Sequence, residues 1–298
     1  TKANLFFAKG VMIVEGPAES ILLPTIARLI GRDFTEYGIS VVNVGGVGLR
    51  RYARIFQRKE VVDGEQGHLQ IPVACVTDMD VLPNCAPVII GNVKEGEAWP
   101  SIEGKNARKW RGKQDFDGET KLTKRRESIE EKASGQTVKT FVSDEWTLEY
   151  DLALGVKDKD GKFTGGLCED VYVAARLAKA DESINNGTKT VDEIKERALA
   201  DFEILKKSLA EQNACSVEEV LASYVYRFFA VDNVSKSIAA QYLSERLESK
   251  ISNKEISPEE LQKRLPKYLV EAIKYVAPVP KDKQQEVVVE GGDGANAG

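Results

Sequence analysis

The sequence is poor in the residues that soft metals and disulfides need. Its 298 residues include one histidine, His68, and four scattered cysteines, Cys75, Cys85, Cys168 and Cys215, with no C-x-x-C pair. That scarcity argues against a structural zinc site and against a disulfide framework, and leaves reduced thiols in a cytoplasmic protein as the expectation. No apolar run approaches the roughly 20 residues that span a bilayer, and Thr1 to Lys9 has neither the long apolar stretch nor the cleavage site of a secretory leader. No membrane partner is expected. The sequence G-x-x-x-x-G-K-[ST] is missing, so a phosphate loop, and with it an ATP site, is not expected. Positive charge is short too: 42 Lys and Arg against 47 Asp and Glu give a net charge of −5, which does not mark the chain as a whole for nucleic acid. The first residue is Thr rather than Met, and the chain is expected to be a piece of a longer protein.

What is present is a hydrophobic fraction of 42%, enough for one large domain or two small ones. Strand-like and helix-like segments alternate through the first half. Val11 to Val14, Ile39 to Val44, Ile71 to Val76 and Thr137 to Val142 are short β-branched runs, as in a parallel sheet buried on both faces. Between them, Ala18 to Ile30 and Leu49 to Gln57 read as helices. Pro17 suits a first helical position, and Pro24 predicts a kink or a broken first turn. Residues 92–136 form a charged insertion whose one periodic stretch, Glu119 to Lys132, suits an exposed helix. The second half reads as helices over Cys168 to Ala180, Thr190 to Glu211, Ser216 to Phe229, Ser235 to Lys250 and Ser257 to Val276. Capping boxes are expected at Ser216–Glu219 and Ser257–Glu260. The polar, glycine-rich tail 281–298 predicts disorder. The fold class that follows is α/β, a mostly parallel sheet flanked by helices, with an additional all-helical domain.

Acidic residues gather at the strand ends. Glu15 and Glu19 follow the first strand four residues apart, on one face of a helix. Asp78 and Asp80 follow the third strand two apart, so an extended chain points both the same way. Asp144, Glu145 and Glu149 follow the fourth. The carboxyl ends of parallel strands form the functional crevice of such sheets. Converging carboxylates repel unless cations neutralise them, and a set without His or Cys favours Mg²⁺ or Mn²⁺. Two segments are locally basic. Leu49 to Lys59 holds Arg50, Arg51, Arg54, Arg58 and Lys59 with no acid, interleaved with Tyr52 and Phe56. Lys105 to Arg126 holds nine basic residues, Lys109 and Arg111 among them, against three acidic ones. Both suit the phosphates of DNA, with weak or no sequence specificity since nothing reads a base edge.

Val14-Glu15-Gly16-Pro17-Ala18-Glu19, Asp78-x-Asp80 and the later acidic motif resemble a Toprim domain, the fold shared by topoisomerases, primases and OLD-family (overcoming lysogenization defect) nucleases. The E-G-x-x-E form, the Thr147-Leu148-Glu149 stretch and the Val42-Asn43-Val44-Gly45-Gly46 segment resemble the OLD branch. The resemblance covers roughly residues 8–90 and 137–155 and the segment around Lys236. It implies a DNA endonuclease using two divalent cations, Mg²⁺ or Mn²⁺, about 3.5–4 Å apart. Glu15, Glu19, Asp78, Asp80, Glu145 and Glu149 are the implied ligands, with Asp78 as the bridge and Glu15 doubling as a general base. Lys236 would offset charge on the transferring phosphoryl group, with Arg50 or Arg51 as substitutes. The resemblance also implies an N-terminal ABC-type ATPase region in the full-length protein. On this reading residues 1–158 are the Toprim catalytic domain, 159–232 a helical domain, and 233–280 helices that return to the Toprim domain. The competing readings are a primase- or topoisomerase-like module and a non-catalytic Toprim interaction domain.

Overall fold

The computed structural model describes residues 7–46, 48–57, 61–62, 65–66, 70–105, 107–116 and 118–279. The expected tail 281–298, His68 and the basic pair Arg58 and Lys59 lie outside these residues.

Four strands form one parallel sheet: β1 (Gly10–Val14), β2 (Ile39–Asn43), β3 (Val73–Thr77) and β4 (Val138–Val142), in the order β2-β1-β3-β4. Their side chains alternate between two apolar layers. Met12, Val14, Ala74 and Val76 join one core cluster, while Val11, Ile13, Val73 and Cys75 join the other. Both faces of β1 and β3 are therefore buried, which is why these two central strands read as unbroken apolar runs, whereas Lys139 of β4 is exposed. The chain leaves β1 in one direction toward β2 and resumes on its other side at β3, so the sheet's topological switch point lies between β1 and β3, where ligands of open α/β sheets bind.

Helix α1 (Pro17–Leu29) begins with its proline at the first position and runs without a broken first turn through Pro24, where a kink or a broken first turn was expected. Helix α2 (Leu49–Ala53) is shorter than expected and tightens into a 3₁₀ turn at Arg54–Phe56. Within the charged insertion, Arg111–Gly112 pairs with Val81–Leu82 as a two-residue parallel ladder. Helix α3 (Glu119–Ala133) then leads into β4.

Helices make up the rest: α4 (Leu148–Leu154), α5 (Cys168–Lys179), α6 (Val191–Ser208), α7 (Val217–Ala230), α8 (Lys236–Ser252), α9 (Pro258–Arg264) and α10 (Lys267–Val276). The Ser216–Glu219 and Ser257–Glu260 capping boxes form, and Thr190–Glu193 makes a third at the start of α6. The single helix expected over Ser257 to Val276 is two, because Pro266 forces Leu265 out of helical geometry to ψ 144°. Two of these helices pack back against the first half of the chain. Helix α8 packs along α1 with Ala239, Ala240, Leu243 and Leu247 buried, and α10 covers the sheet over β1, β3 and β4. One continuous apolar cluster runs from Met12 and Val76 through Leu22 and Leu247 to Phe202 in α6.

Candidate metal centre

The site is built at the carboxyl ends of β1, β3 and β4. Glu15 is the first residue beyond β1, and its Oε1 accepts a hydrogen bond from Thr77 Oγ1 on β3 at 2.7 Å, across the switch point. The backbone of Glu15 is held from the other side. Its carbonyl accepts from Gly46 N at 2.8 Å, and Val14's accepts from Val44 N at 3.0 Å. Gly45 (φ 68°) and Gly46 (φ 81°) take the left-handed conformation this return needs, which favours glycine in V-N-V-G-G. Gly16 has a separate reason: a Cβ there would lie 2.8 Å from Glu19 Oε2, so the glycine gives the Glu19 carboxylate room to fold back toward Glu15.

Asp78, one residue past β3, accepts from Leu148 N at 3.1 Å. Asp80 does not continue an extended chain as expected. Its φ of 54° turns the backbone left-handed, a conformation Asp tolerates better than most residues, and its N–H donates to Trp146 O at 3.2 Å. Buried Ser143 laces the loops after β3 and β4 together, accepting from Met79 N at 2.7 Å and donating to Trp146 O at 2.9 Å. Glu149, buried in the first turn of α4, meets Lys236 from the start of α8, Nζ to Oε2 2.8 Å. The lysine is fixed from behind: Ser235 caps α8 through Ile238 N, and the ammonium lies 5.3 Å from the centre of the Tyr226 ring.

Electrostatics tie these groups into one unit. Burial raises the Asp78 carboxyl well above its ordinary value; Glu149, Glu19 and Asp80 raise it further, and Lys236 opposes them. Burial also raises Glu19, with Glu149 and Glu15 adding and Lys236 opposing. Glu15 is raised by burial, relieved in part by Thr77 and pushed again by Asp80. Burial alone would lower the basicity of Lys236, yet Glu149, the Tyr226 oxygen and Asp78 outweigh it, so the amine stays charged. Glu15, Glu19, Asp78, Asp80, Glu149 and Lys236 therefore share one field.

Glu145 stands apart. Its carboxylate is held by Lys113 at 2.6 Å and Lys157 at 3.3 Å, and Lys113 also binds Glu219 of α7 at 3.1 Å. The physical reason lies in the neighbouring loop, where buried Asp151 accepts the N–H groups of Glu145 and Trp146, both at 3.0 Å. Asp151 itself is raised to about 8 by burial, those hydrogen bonds opposing. Among the described residues no three His, Cys, Asp or Glu side chains meet as a ready-made ligand group. Three of the repelling carboxylates take different partners instead: Glu15 takes Thr77, Asp78 takes Leu148 N and Glu149 takes Lys236. The donor set is nonetheless all oxygen and short of positive charge, the chemistry that hard divalent cations fit.

Of the residues expected on DNA, Arg50, Arg51 and Arg54 are exposed on α2 and its 3₁₀ turn, just past the glycine loop; Lys109 is exposed and Arg111 half-buried. Much of the rest of the basic insertion faces inward, contrary to expectation. The Arg108 guanidinium stacks 3.9 Å from the Trp110 ring centre, pairs with Asp115 and donates to Pro100 O. Arg125 donates to Met79 O, and Arg126 to the carbonyls of Val142, Ser143 and Asp144. These carbonyls belong to the loops that present the acids, so the two arginines position the site. Charge counting missed this, as it missed Thr77 and Ser143. A signal was present in Trp99 and Trp110 flanking Arg108.

Residues 6–80 match the family described as "Overcoming lysogenization defect protein-like, TOPRIM domain". Among solved structures, the chain aligns with the C-terminal region of the Xanthomonas campestris pv. campestris OLD protein at 19% identity, over 95% of this chain and 99% of that one, with a TM-score of 0.44. It aligns with the C-terminal region of the Burkholderia pseudomallei OLD protein at 19% identity, over 91% and 98%, with a TM-score of 0.42. No curated protein matches in sequence.

Proposed function

We propose that this chain, whose residues 6–80 match the OLD-like Toprim family, is a divalent-metal-dependent DNA endonuclease, the nuclease portion of an OLD-type ATPase–nuclease. The observation that carries the reading is the shared field of Glu15, Glu19, Asp78, Asp80 and Glu149 around a single lysine at the sheet's switch point. Such a cluster is costly to a fold and is suited to holding cations.

Glu15, Glu19, Asp78, Asp80 and Glu149 would hold two Mg²⁺ or Mn²⁺ ions, with Asp78 central. Glu145, engaged by Lys113 and Lys157, is left out of this set. When bound, the ions polarise the phosphodiester and lower the pKa of water. The chain's own residues do the remaining work. Glu15, raised in pKa and oriented by Thr77, accepts the proton of the attacking water. Lys236, held charged, faces the phosphate and offsets charge that grows toward the transition state. Arg50, Arg51, Arg54 and Lys109 track the DNA backbone, which gives affinity without sequence preference. An N-terminal ABC-type ATPase region accompanies this chain in the full-length protein. No described helix is long and apolar enough to cross a membrane.

The test is conversion of supercoiled plasmid to nicked and linear forms with Mg²⁺, with Mn²⁺ and with EDTA. Cutting is expected with either ion and is lost in chelator; undiminished cutting in excess EDTA overturns the proposal.

A further inference from the structure

Away from the carboxylates, two of the four cysteines meet. Cys85 caps the short helix Ala86–Ile89 beyond the D-x-D segment, and Cys215 closes the turn ahead of α7. They share a small apolar cluster with Ile89 and Val220, while Cys75 and Cys168 belong to other clusters. Cys85 N–H donates to Cys215 Sγ at 3.3 Å, and Cys85 Sγ lies 3.5 Å from Ser223 Oγ. We propose that Cys85 and Cys215 form a dithiol modification site, oxidised by hydrogen peroxide to a disulfide that ties the segment after β3 to helix α7.

Cys215 Sγ already lies 3.3 Å from the backbone nitrogen of Cys85, which puts the two side chains within reach of a bond of about 2.05 Å. Cys215 is the attacking thiol, because it borders the exposed Asn213–Ala214 turn while Cys85 is fully buried and its thiol is raised by the contact with Cys215 and by burial. In the first step the Cys215 sulfur attacks one peroxide oxygen and the O–O bond breaks. The departing hydroxide takes up a proton to become water, leaving a sulfenic acid on Cys215. The Cys85 sulfur then attacks the Cys215 sulfur and the S–O bond breaks. The hydroxyl leaves with the Cys85 proton as a second water. Two thiols have lost two electrons, and the peroxide has gained them.

Entry is through the turn. Asn213 (φ 50°) and Ala214 (φ 59°) are exposed, consecutive left-handed residues, a conformation costly for alanine, and only the short Gln212–Cys215 bridge closes them. Local opening there uncovers Cys215 without unfolding either core. The bridge would close a loop across 130 residues and anchor α7, which carries Glu219 against Lys113 and Tyr226 against Lys236. It stands on thiol geometry alone and holds whether or not the chain cuts DNA.

The experiment treats the native full chain with hydrogen peroxide, then denatures and alkylates it for mass spectrometry. Alkylated thiols are expected to fall from four to two, with one linked peptide pair containing Cys85 and Cys215. The denaturation midpoint should rise, because the bridge restricts the unfolded chain, and return with dithiothreitol. C215S should keep all three remaining thiols free, whereas C85S should stop at a sulfenic acid on Cys215 with no linked peptide pair. Four alkylated thiols after treatment of the wild type, or a bridge that includes Cys75 or Cys168, overturns the proposal.

Discussion

Replacing Asp78 with asparagine should stabilise the metal-free protein at neutral and alkaline pH. The substitution keeps the side chain's shape and the Oδ1 that accepts from Leu148 N at 3.1 Å, but removes a buried charge facing Glu149, Glu19 and Asp80. The sign follows from the raised pKa. Below the ordinary carboxyl range Asp78 is protonated in both folded and unfolded chains, so its charge costs nothing. As pH rises through the raised value the unfolded chain ionises more readily than the folded one, and stability is lost. Each unit of displacement is worth about 1.36 kcal/mol. At roughly 2–4 °C per kcal/mol for a chain near this size, one unit corresponds to roughly 3–5 °C in melting temperature. The assay is thermal unfolding in EDTA from pH 4 to pH 8: D78N should melt several degrees above wild type at pH 8, and the two curves should converge near pH 4. At pH 8, Mn²⁺ at about 100 times its dissociation constant would add about 2.7 kcal/mol to the wild type and far less to D78N. A D78N protein that melts at or below wild type across the whole range would refute the repulsion argument and the site built on it.

Lys236→Ala should lower plasmid cutting by orders of magnitude with nearly unchanged DNA affinity, and Lys236→Arg should restore little, because a planar fork does not replace a compact ammonium; single-turnover cleavage beside a binding titration separates the two effects. Glu149→Gln should abolish cutting whereas Glu145→Gln should retain it and instead lower the melting temperature, since only Glu149 shares the field of Asp78 while Glu145 binds Lys113 and Lys157; equal loss of cutting in both would contradict the geometry. Arg108→Ala should destabilise the fold by about 3–5 kcal/mol, as breaking a buried pair does, whereas Lys109→Ala should leave denaturant unfolding unchanged and lower the salt slope of DNA binding by about 0.9.

Much of the architecture was legible because it obeys simple periodicities. Four β-branched runs each ending in a turn or an acid announced the parallel sheet, and serines three residues before glutamates announced the starts of α7 and α9. Pro266 was an equally plain signal for the break between α9 and α10, outweighed by apolar spacing on either side of it. The site was legible as a composition of acids but not as a geometry. Glu145 and Glu149 are four residues apart and looked equivalent; the turn clamped by Asp151 sends the first toward Lys113 while the helix carries the second to Lys236. The basic insertion misled for a related reason. Counting charge cannot distinguish an arginine facing phosphate from one such as Arg126, whose guanidinium is spent on the carbonyls of its own protein.

The packing of α8 on α1 sets an order in time. Ribosomal synthesis delivers Glu15, Glu19, Asp78, Asp80 and Glu149 long before Lys236, and α10, which covers the sheet over β1, β3 and β4, comes later still. A nascent chain that has emerged only as far as Asn233 has every carboxylate of the cluster but not the ammonium that pairs with Glu149, and the part of its sheet that α10 covers is still open. The cluster is thus completed only once Lys236 has emerged. A chain released before Lys236 carries the acids without the ammonium that pairs with Glu149.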